Sequence, residues 1–373
     1  MKIVFLSNHY NHHQAYISKK LYELTDGQYR FIASKADMSD SRKKLGYLEL
    51  KDEFVVTYNG MDENIKYVID SADIAIIGSA PEAWIENRKK MGKLTFRYVE
   101  RPLKKGNQLW KYPVRFLKWH KQNPRKANIY ILCASAYAFS DYLKFGLFKG
   151  KAFKWGYFPE CKRYQNLDSL LNGKLKNEIL WCGRFLDWKH PDDVLMVAKM
   201  LKDSEKSFHI NIIGTGDMQS RLEDLRDQYE LSKYVTFVGP VEADKVRDYM
   251  EKASIYMFTS DRQEGWGAVL NEAMNSGCAV VASDAAGATP YLINDGENGI
   301  VYHSGDLKSL YQSVAELLDN VELQKTLSVR AYETIVNYWN SDTAAERFFQ
   351  LSEHILKGDN PQEIFTFGPC SRA

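Results

Sequence analysis

The sequence predicts an α/β protein made of two doubly wound domains. Three observations carry that expectation. The chain has 373 residues, enough for two domains of ordinary size. Short apolar runs of strand length alternate with longer amphipathic stretches in both halves, as parallel sheets with crossover helices require. Its composition is that of a globular protein able to bury two cores, with 45% apolar and 26% charged residues and a net charge of +2.

Taken in order, strands are expected at 2–6, 29–33, 53–57, 73–77, 94–99, 128–133 and 152–155 in the first half. The run at 2–6 reads as a strand and not a secretory leader, because it is short and Asn8 and His9 interrupt it. No stretch approaches the ~18 apolar residues of a membrane span. Residues 157–176, with Pro159 and Gly173, read as the connection, and the second domain follows to about residue 337. The amphipathic stretch 343–356 comes after Trp339, and residues 369–373 are expected to be loose. Five cysteines (133, 161, 182, 278 and 370) form no C-x-x-C pair and are odd in number, so they read as reduced thiols of a cytoplasmic protein.

The most informative segment is Glu264-Gly265-Trp266-Gly267-Ala268-Val269-Leu270-Asn271-Glu272, with Gly277 and an apolar run at 279–282 after it. Gly265 and Gly267 let backbone amides approach a ligand, since no Cβ stands in the way. Residues 268–276 read as a short helix ended by Gly277. Its N-terminus, including the amides of Ala268 and Val269, suits a phosphate or sugar oxygen. Glu264 and Glu272 bracket the segment, and carboxylates there suit sugar hydroxyls better than phosphate. Arg184 and Lys189 follow an earlier strand, where a guanidinium fork and an ammonium can reach phosphate oxygens. The alternative is two solvated surface charges.

These residues resemble the E-x7-E pattern of retaining glycosyltransferases of the GT-B fold, in particular family four. Gly183-Arg184-Phe185-Leu186-Asp187-Trp188-Lys189 resembles the family's G-R-x(4)-K element. Residues 210–217, with Gly214 and Gly216, resemble its strand followed by G-x-G, and residues 235–239 its V-x-F-x-G strand. Residues 287–299 resemble the glycine-rich stretch beyond the second glutamate, with Pro290 and Tyr291 where relatives often carry a Gly-Glu pair.

The resemblance implies two Rossmann-like domains facing across a cleft: an acceptor-side domain at 1–170 and a nucleotide-sugar domain at 171–342, with 343–373 crossing back onto the first. It implies that Glu264 binds the donor sugar, that Glu272 binds the ribose, and that Gly183, Gly214, Gly216, Gly265, Trp266, Gly267, Ala268 and Val269 line the donor site. Arg184 and Lys189 would stabilise the leaving diphosphate. The implied reaction moves a sugar, with retention, from a nucleotide-diphosphate sugar to a hydroxyl of a glycan or lipid-linked saccharide, in bacterial surface polysaccharide or glycolipid synthesis. No cofactor or metal is expected, and the second half has no D-x-D motif. The alternatives are an idle GT-B protein that binds membrane or nucleic acid, and a sugar-nucleotide epimerase of similar fold.

The first half departs from that family. Relatives carry a Gly-Gly loop after the first strand, whereas this chain has Ser7-Asn8-His9-Tyr10-Asn11-His12-His13-Gln14. His12 and His13 suit a phosphate or acceptor oxygen, or helix capping and loop packing. A metal site is the weakest reading, because no Cys, Asp or Glu completes the set. Many relatives place a histidine near the end of the fifth strand. Glu100 stands there instead, and suits a sugar hydroxyl, acceptor deprotonation or a salt bridge.

Between Arg88 and Lys126 there are fourteen basic residues and one acid, Glu100. Aromatic and apolar residues are interleaved with them, and Trp110, Lys111, Arg115, Lys118 and Trp119 are candidates to face an anionic membrane. That implies peripheral attachment at the inner face of the plasma membrane. A solvated basic face is the alternative, and nucleic acid is the less favoured partner.

Overall fold

The computed structural model describes residues 1–35, 50–58 and 62–373. The chain divides into two compact units, Met1–Pro159 with Asn340–Ala373, and Glu160–Trp339. The first is built on strands β1 (Ile3–Ser7), β2 (Tyr29–Ala33), β3 (Val55–Thr57), β4 (Ile74–Ile77), β5 (Leu94–Val99), β6 (Ile129–Cys133) and β7 (Ala152–Lys154). They form one parallel sheet in the order β3-β2-β1-β4-β5-β6-β7. β1 and β4 are buried at every position. Strands covered on both faces read as unbroken apolar runs for this reason.

Helix His12–Leu24 starts at Asn11, whose side chain accepts from the His13 amide at 2.9 Å. Helix Ser341–Lys357, capped by Asn340 and ended by Gly358, packs on it. That second helix carries Phe348, fully buried against Phe96 and Trp155 at centroid distances of 4.9 and 5.8 Å. Burying such a ring stabilises by about 1.5–3 kcal/mol, which is why this late segment belongs to the first unit.

Two expectations are overturned here. Residues 369–373 are not loose. The Lys154 amide donates to the Ser371 carbonyl at 2.7 Å, the Cys370 amide to the Lys154 carbonyl at 2.8 Å, and the Ala373 amide to the Ala152 carbonyl at 3.2 Å. An edge strand presents unpaired backbone groups, and here the tail satisfies those of β7. Trp119 does not face outward either. On helix Tyr112–Gln122 it turns inward onto Tyr142 and Phe145, at 5.0 and 4.6 Å between centroids. A large indole gains more by covering that cluster than by standing in water.

The second unit holds β8 (Glu178–Cys182), β9 (His209–Ile213), β10 (Val235–Gly239), β11 (Ile255–Phe258), β12 (Ala279–Ser283) and β13 (Ile300–Tyr302). Their order is β10-β9-β8-β11-β12-β13, again parallel throughout. Helix Pro191–Asp203 contributes Val194, Leu195, Val197, Ala198 and Leu201 to a core under the sheet. In both sheets the strand order reverses once, between β1 and β4 and between β8 and β11. Open sheets of this kind bind ligands outside the carboxyl ends of the strands at such a reversal. Among the described residues no helix is long and apolar enough to cross a membrane.

Candidate functional site

At the reversal in the second unit, three loops leave the carboxyl ends of β8, β9 and β11. The loop after β8 carries Gly183, Arg184 and Lys189 before helix Pro191–Asp203 begins. The loop after β9 carries Gly214 and Gly216 and lies directly on it. A Cβ on Gly214 would stand 1.9 Å from the Gly183 carbonyl oxygen, and one on Gly216 would stand 2.6 Å from that of Phe185. Backbone bonds seal the contact: Gly183 N–H to Ile213 at 3.0 Å, Phe185 N–H to Thr215 at 3.0 Å and Met218 N–H to Phe185 at 3.2 Å. The glycine pair therefore acts as a backbone clamp on the loop that holds the two cations.

The loop after β11 returns over the Phe258 ring before helix Ala268–Asn275 starts. Gly267 makes that turn at φ +96°, and a Cβ there would meet Phe258 at 2.3 Å. The amides of Gly265, Trp266, Gly267, Ala268 and Val269 donate to no acceptor among the described residues. Backbone N–H groups without an internal acceptor at the start of a helix suit an anion or hydroxyl oxygen. The Trp266 side chain takes no part in it. Fully buried, it donates from Nε1 to Asn271 Oδ1 at 2.8 Å and packs against Tyr291 and Trp339.

Lys189 and Glu264, 75 positions apart, meet as a hydrogen-bonded ion pair with side chains 12% and 13% exposed. Ser260 Oγ donates to the same carboxylate oxygen at 3.2 Å. Thr259 Oγ1 donates to the Lys189 carbonyl at 2.6 Å and accepts from Trp181 Nε1 at 2.8 Å, tying the two loops together. Ser260 and Thr259 were not singled out from sequence; their place just past the end of β11 was the available signal. Arg184 is exposed and has no ion-pair partner among the described residues.

Glu272 lies on helix Ala268–Asn275, partly exposed. Burial pushes its carboxyl up to about 7; Arg247 pulls it down and Glu160 pushes it further up. Its carboxylate has no hydrogen-bond partner among the described residues. Close to Lys189, His190, Asp192 and Asp193 bring potential metal-ligand atoms within 4.8 Å of one another. Burial raises the Asp193 carboxyl to about 6, and Asp192 already accepts from Arg221 at 2.8 Å.

The first unit gathers the remaining candidates. Tyr157 donates from its hydroxyl to Glu100 at 2.6 Å, and its ring lies 5.4 Å from that of His13. His12 and His13 are themselves 4.0 Å apart. Burial lowers both imidazoles, His13 to about 3 with help from His12, so both are neutral at pH 7. Lys104 lies 3.5 Å from Glu100. Tyr157, which joins Glu100 to His13, could not be picked out from a sequence separation of 57 residues.

Comparison with known proteins agrees with this architecture. Residues 165–334 match the family described as Glycosyl transferases group 1. An uncharacterized glycosyltransferase of Methanocaldococcus jannaschii is 27% identical over 192 residues, 51% of this chain and 48% of that protein. The phosphatidyl-myo-inositol mannosyltransferase of Mycobacterium leprae is 29% identical over 209 residues, 53% of this chain and 54% of that protein. The chain thus spans about half the length of the curated relatives it matches. The crystal structure of Anabaena HepE with UDP covers 96% of this chain and 100% of its own, with TM-score 0.71 and 13% identity, a likeness of fold. The chain has the GT-B fold over 96% of its length, and most of its second unit matches the Glycosyl transferases group 1 family.

Proposed function

We propose that this protein is a retaining, metal-independent glycosyltransferase of the family-four type. It would transfer a sugar from a nucleotide-diphosphate sugar to a hydroxyl of a glycan or lipid-linked saccharide in polysaccharide or glycolipid synthesis. The observation that carries this reading is the run of free amides at Gly265–Val269, continuous with Glu264 and its partner Lys189. In this reading the amides and Lys189 receive the diphosphate, Arg184 reaches it from the exposed loop, and Glu264 accepts from the sugar hydroxyls. Glu272 accepts from the ribose.

The new bond forms between the acceptor oxygen and the anomeric carbon, on the face from which the phosphate oxygen departs. That oxygen leaves with the bonding electron pair and takes the acceptor proton. Charge grows on the phosphate as the bond breaks, which is where two cations act most strongly. Neutral His12 and His13, with Glu100, are the candidates for acceptor contacts.

A thermal-shift series with UDP, GDP, ADP and CMP tests the donor site directly. A nucleotide at about 100 times its Kd adds about 2.7 kcal/mol of stability and raises the midpoint. UDP is the first to try, being the ligand bound in HepE. A flat response to every nucleotide would refute the reading. Sugar transfer to an acceptor, as opposed to donor isomerisation, separates it from an epimerase.

Glu272 adds a pH dependence. Its folded pKa of about 7 lies above the ordinary glutamate value. Its stability contribution is therefore fully present below that ordinary value and is lost as pH rises through about 7. Glu272→Gln should flatten this decline in melting midpoint. Affinity should move the opposite way, because the ionised carboxylate is the better acceptor for ribose hydroxyls. Nucleotide binding in the wild type should strengthen between pH 6 and 8 more than in Glu272→Gln. The variant also controls for the nucleotide's own phosphate, which titrates near pH 6. Parallel pH profiles would remove Glu272 from the site.

A further inference from the structure

The helix Tyr112–Gln122, with the turn Leu109–Lys111 before it, is apolar on two sides. Its inner side is accounted for. Tyr112 stacks on Phe145 at 4.5 Å and donates to the Lys144 carbonyl at 3.0 Å, and Trp119 covers the same cluster. Its outer side carries Leu109, Trp110, Val114 and Leu117, which are 77%, 76%, 69% and 71% exposed. Trp110, Val114 and Leu117 are spaced by four and three residues and so share one stripe. Scattered single apolar residues on a surface need no explanation, but a stripe of adjacent ones does.

Charge around the stripe is equally one-sided. Several of the fourteen cations between Arg88 and Lys126 are used inside the fold. Arg88 is buried and donates to the carbonyls of Ile69, Ala72, Asp73 and Leu94. Lys89 and Arg97 bind Glu82, Arg101 binds Asp141, and Lys104 lies against Glu100. The cations left without an acidic partner among the described residues include Lys111, Lys118 and Lys121, on the helix or the turn before it. No acidic residue occurs between Glu100 and Asp141.

The geometry points to this helix lying in the headgroup layer of an anionic lipid bilayer, with Leu109, Trp110, Val114 and Leu117 inserted and the lysines on lipid phosphates. An interfacial helix needs an apolar face flanked by cations, and both are present. Single-stranded nucleic acid is bound on aromatic platforms. Of the four most exposed apolar side chains, three are aliphatic, which suits acyl chains better than bases, while the aromatic Tyr112 and Phe116 are only 40% exposed. Lysine stems can also lie along the apolar layer while their ammonium groups stay wet.

The experiment is sedimentation of the full chain with phosphatidylcholine vesicles, with and without phosphatidylglycerol, and with a single-stranded RNA in a separate arm. Binding is expected only to the anionic vesicles. Replacing Lys111, Lys118 and Lys121 by Gln should weaken it on the order of 100-fold, at about fivefold per cation near the surface. Replacing Leu109, Val114 and Leu117 by Ser should weaken it as well, while leaving any RNA binding unchanged. Both variants alter exposed or partly exposed positions in the first unit. They should keep the wild-type melting midpoint and the wild-type nucleotide response, so failure here is separable from failure of the donor site. Equal binding to neutral vesicles, no binding to anionic ones, or undiminished binding by the serine variant would overturn the proposal. Tight RNA binding that the glutamine variant loses, without vesicle binding, would replace it with a nucleic-acid surface.

Discussion

Arg184→Ala and Lys189→Ala should each lower turnover by about 10²-fold or more, the usual cost of removing one group that stabilises charge developing in a transition state. The two variants differ in what else they disturb. Arg184 is exposed and has no ion-pair partner among the described residues, so its loss should leave the melting midpoint nearly unchanged, as surface substitutions generally do. Lys189 holds Glu264 in a pair that is largely shielded from water. Its removal strands a carboxylate, and stability should fall along with activity. The double variant Lys189→Ala with Glu264→Ala should recover stability but not turnover. Single-turnover rates and melting curves on the four proteins separate the two effects. Near-normal rates in both single variants would end the role assigned to the pair.

Gly214→Ala should be among the most destabilising single changes in the second unit. The new methyl would sit 1.9 Å from a carbonyl oxygen, on a backbone at φ +136°. Forcing a side chain into that backbone region costs about 1–3 kcal/mol, and overpacking against fixed atoms adds about 1–3 more. For a unit of this size the midpoint should drop on the order of 10 °C. Gly305→Ala is the comparison: its φ is +87°, but nothing lies within 4 Å of the added carbon. It carries the backbone cost alone. If the two variants melt together, the contact between the loops is not the constraint described above. Because the displaced loop is the one with Arg184 and Lys189, surviving Gly214→Ala protein should also bind nucleotide less well.

Much of this could be read before the fold was known, and the reason is local. The seven strands of the first sheet were legible because each is a short apolar run bounded by polar or turn residues. Gly214, Gly216 and Gly267 were legible because close backbone approach leaves a residue type behind. What escaped were contacts made across long stretches of chain. Nothing near Lys189 announces Glu264 as its partner, and nothing near Glu100 announces Tyr157. The pairing of residues 369–373 with β7 depends on an open sheet edge that sequence does not display. Trp110 and Trp119 look alike among neighbouring cations, yet one is exposed and the other covers Phe145. Only the placement of the helix on its neighbours separates them.

In the proposed donor site, the ion pair between Lys189 and Glu264 would also work as a two-key lock. With no ligand bound, each charge answers the other, and neither is free to hold a visitor. A bare phosphate could draw the ammonium away, but it would abandon the carboxylate with only Ser260 for company. A free sugar could occupy the carboxylate and leave the ammonium idle. A molecule that carries an anion and hydroxyls on one frame satisfies both at once. Within the proposed donor site, such a pair favours the whole conjugate over a bare phosphate or a free sugar.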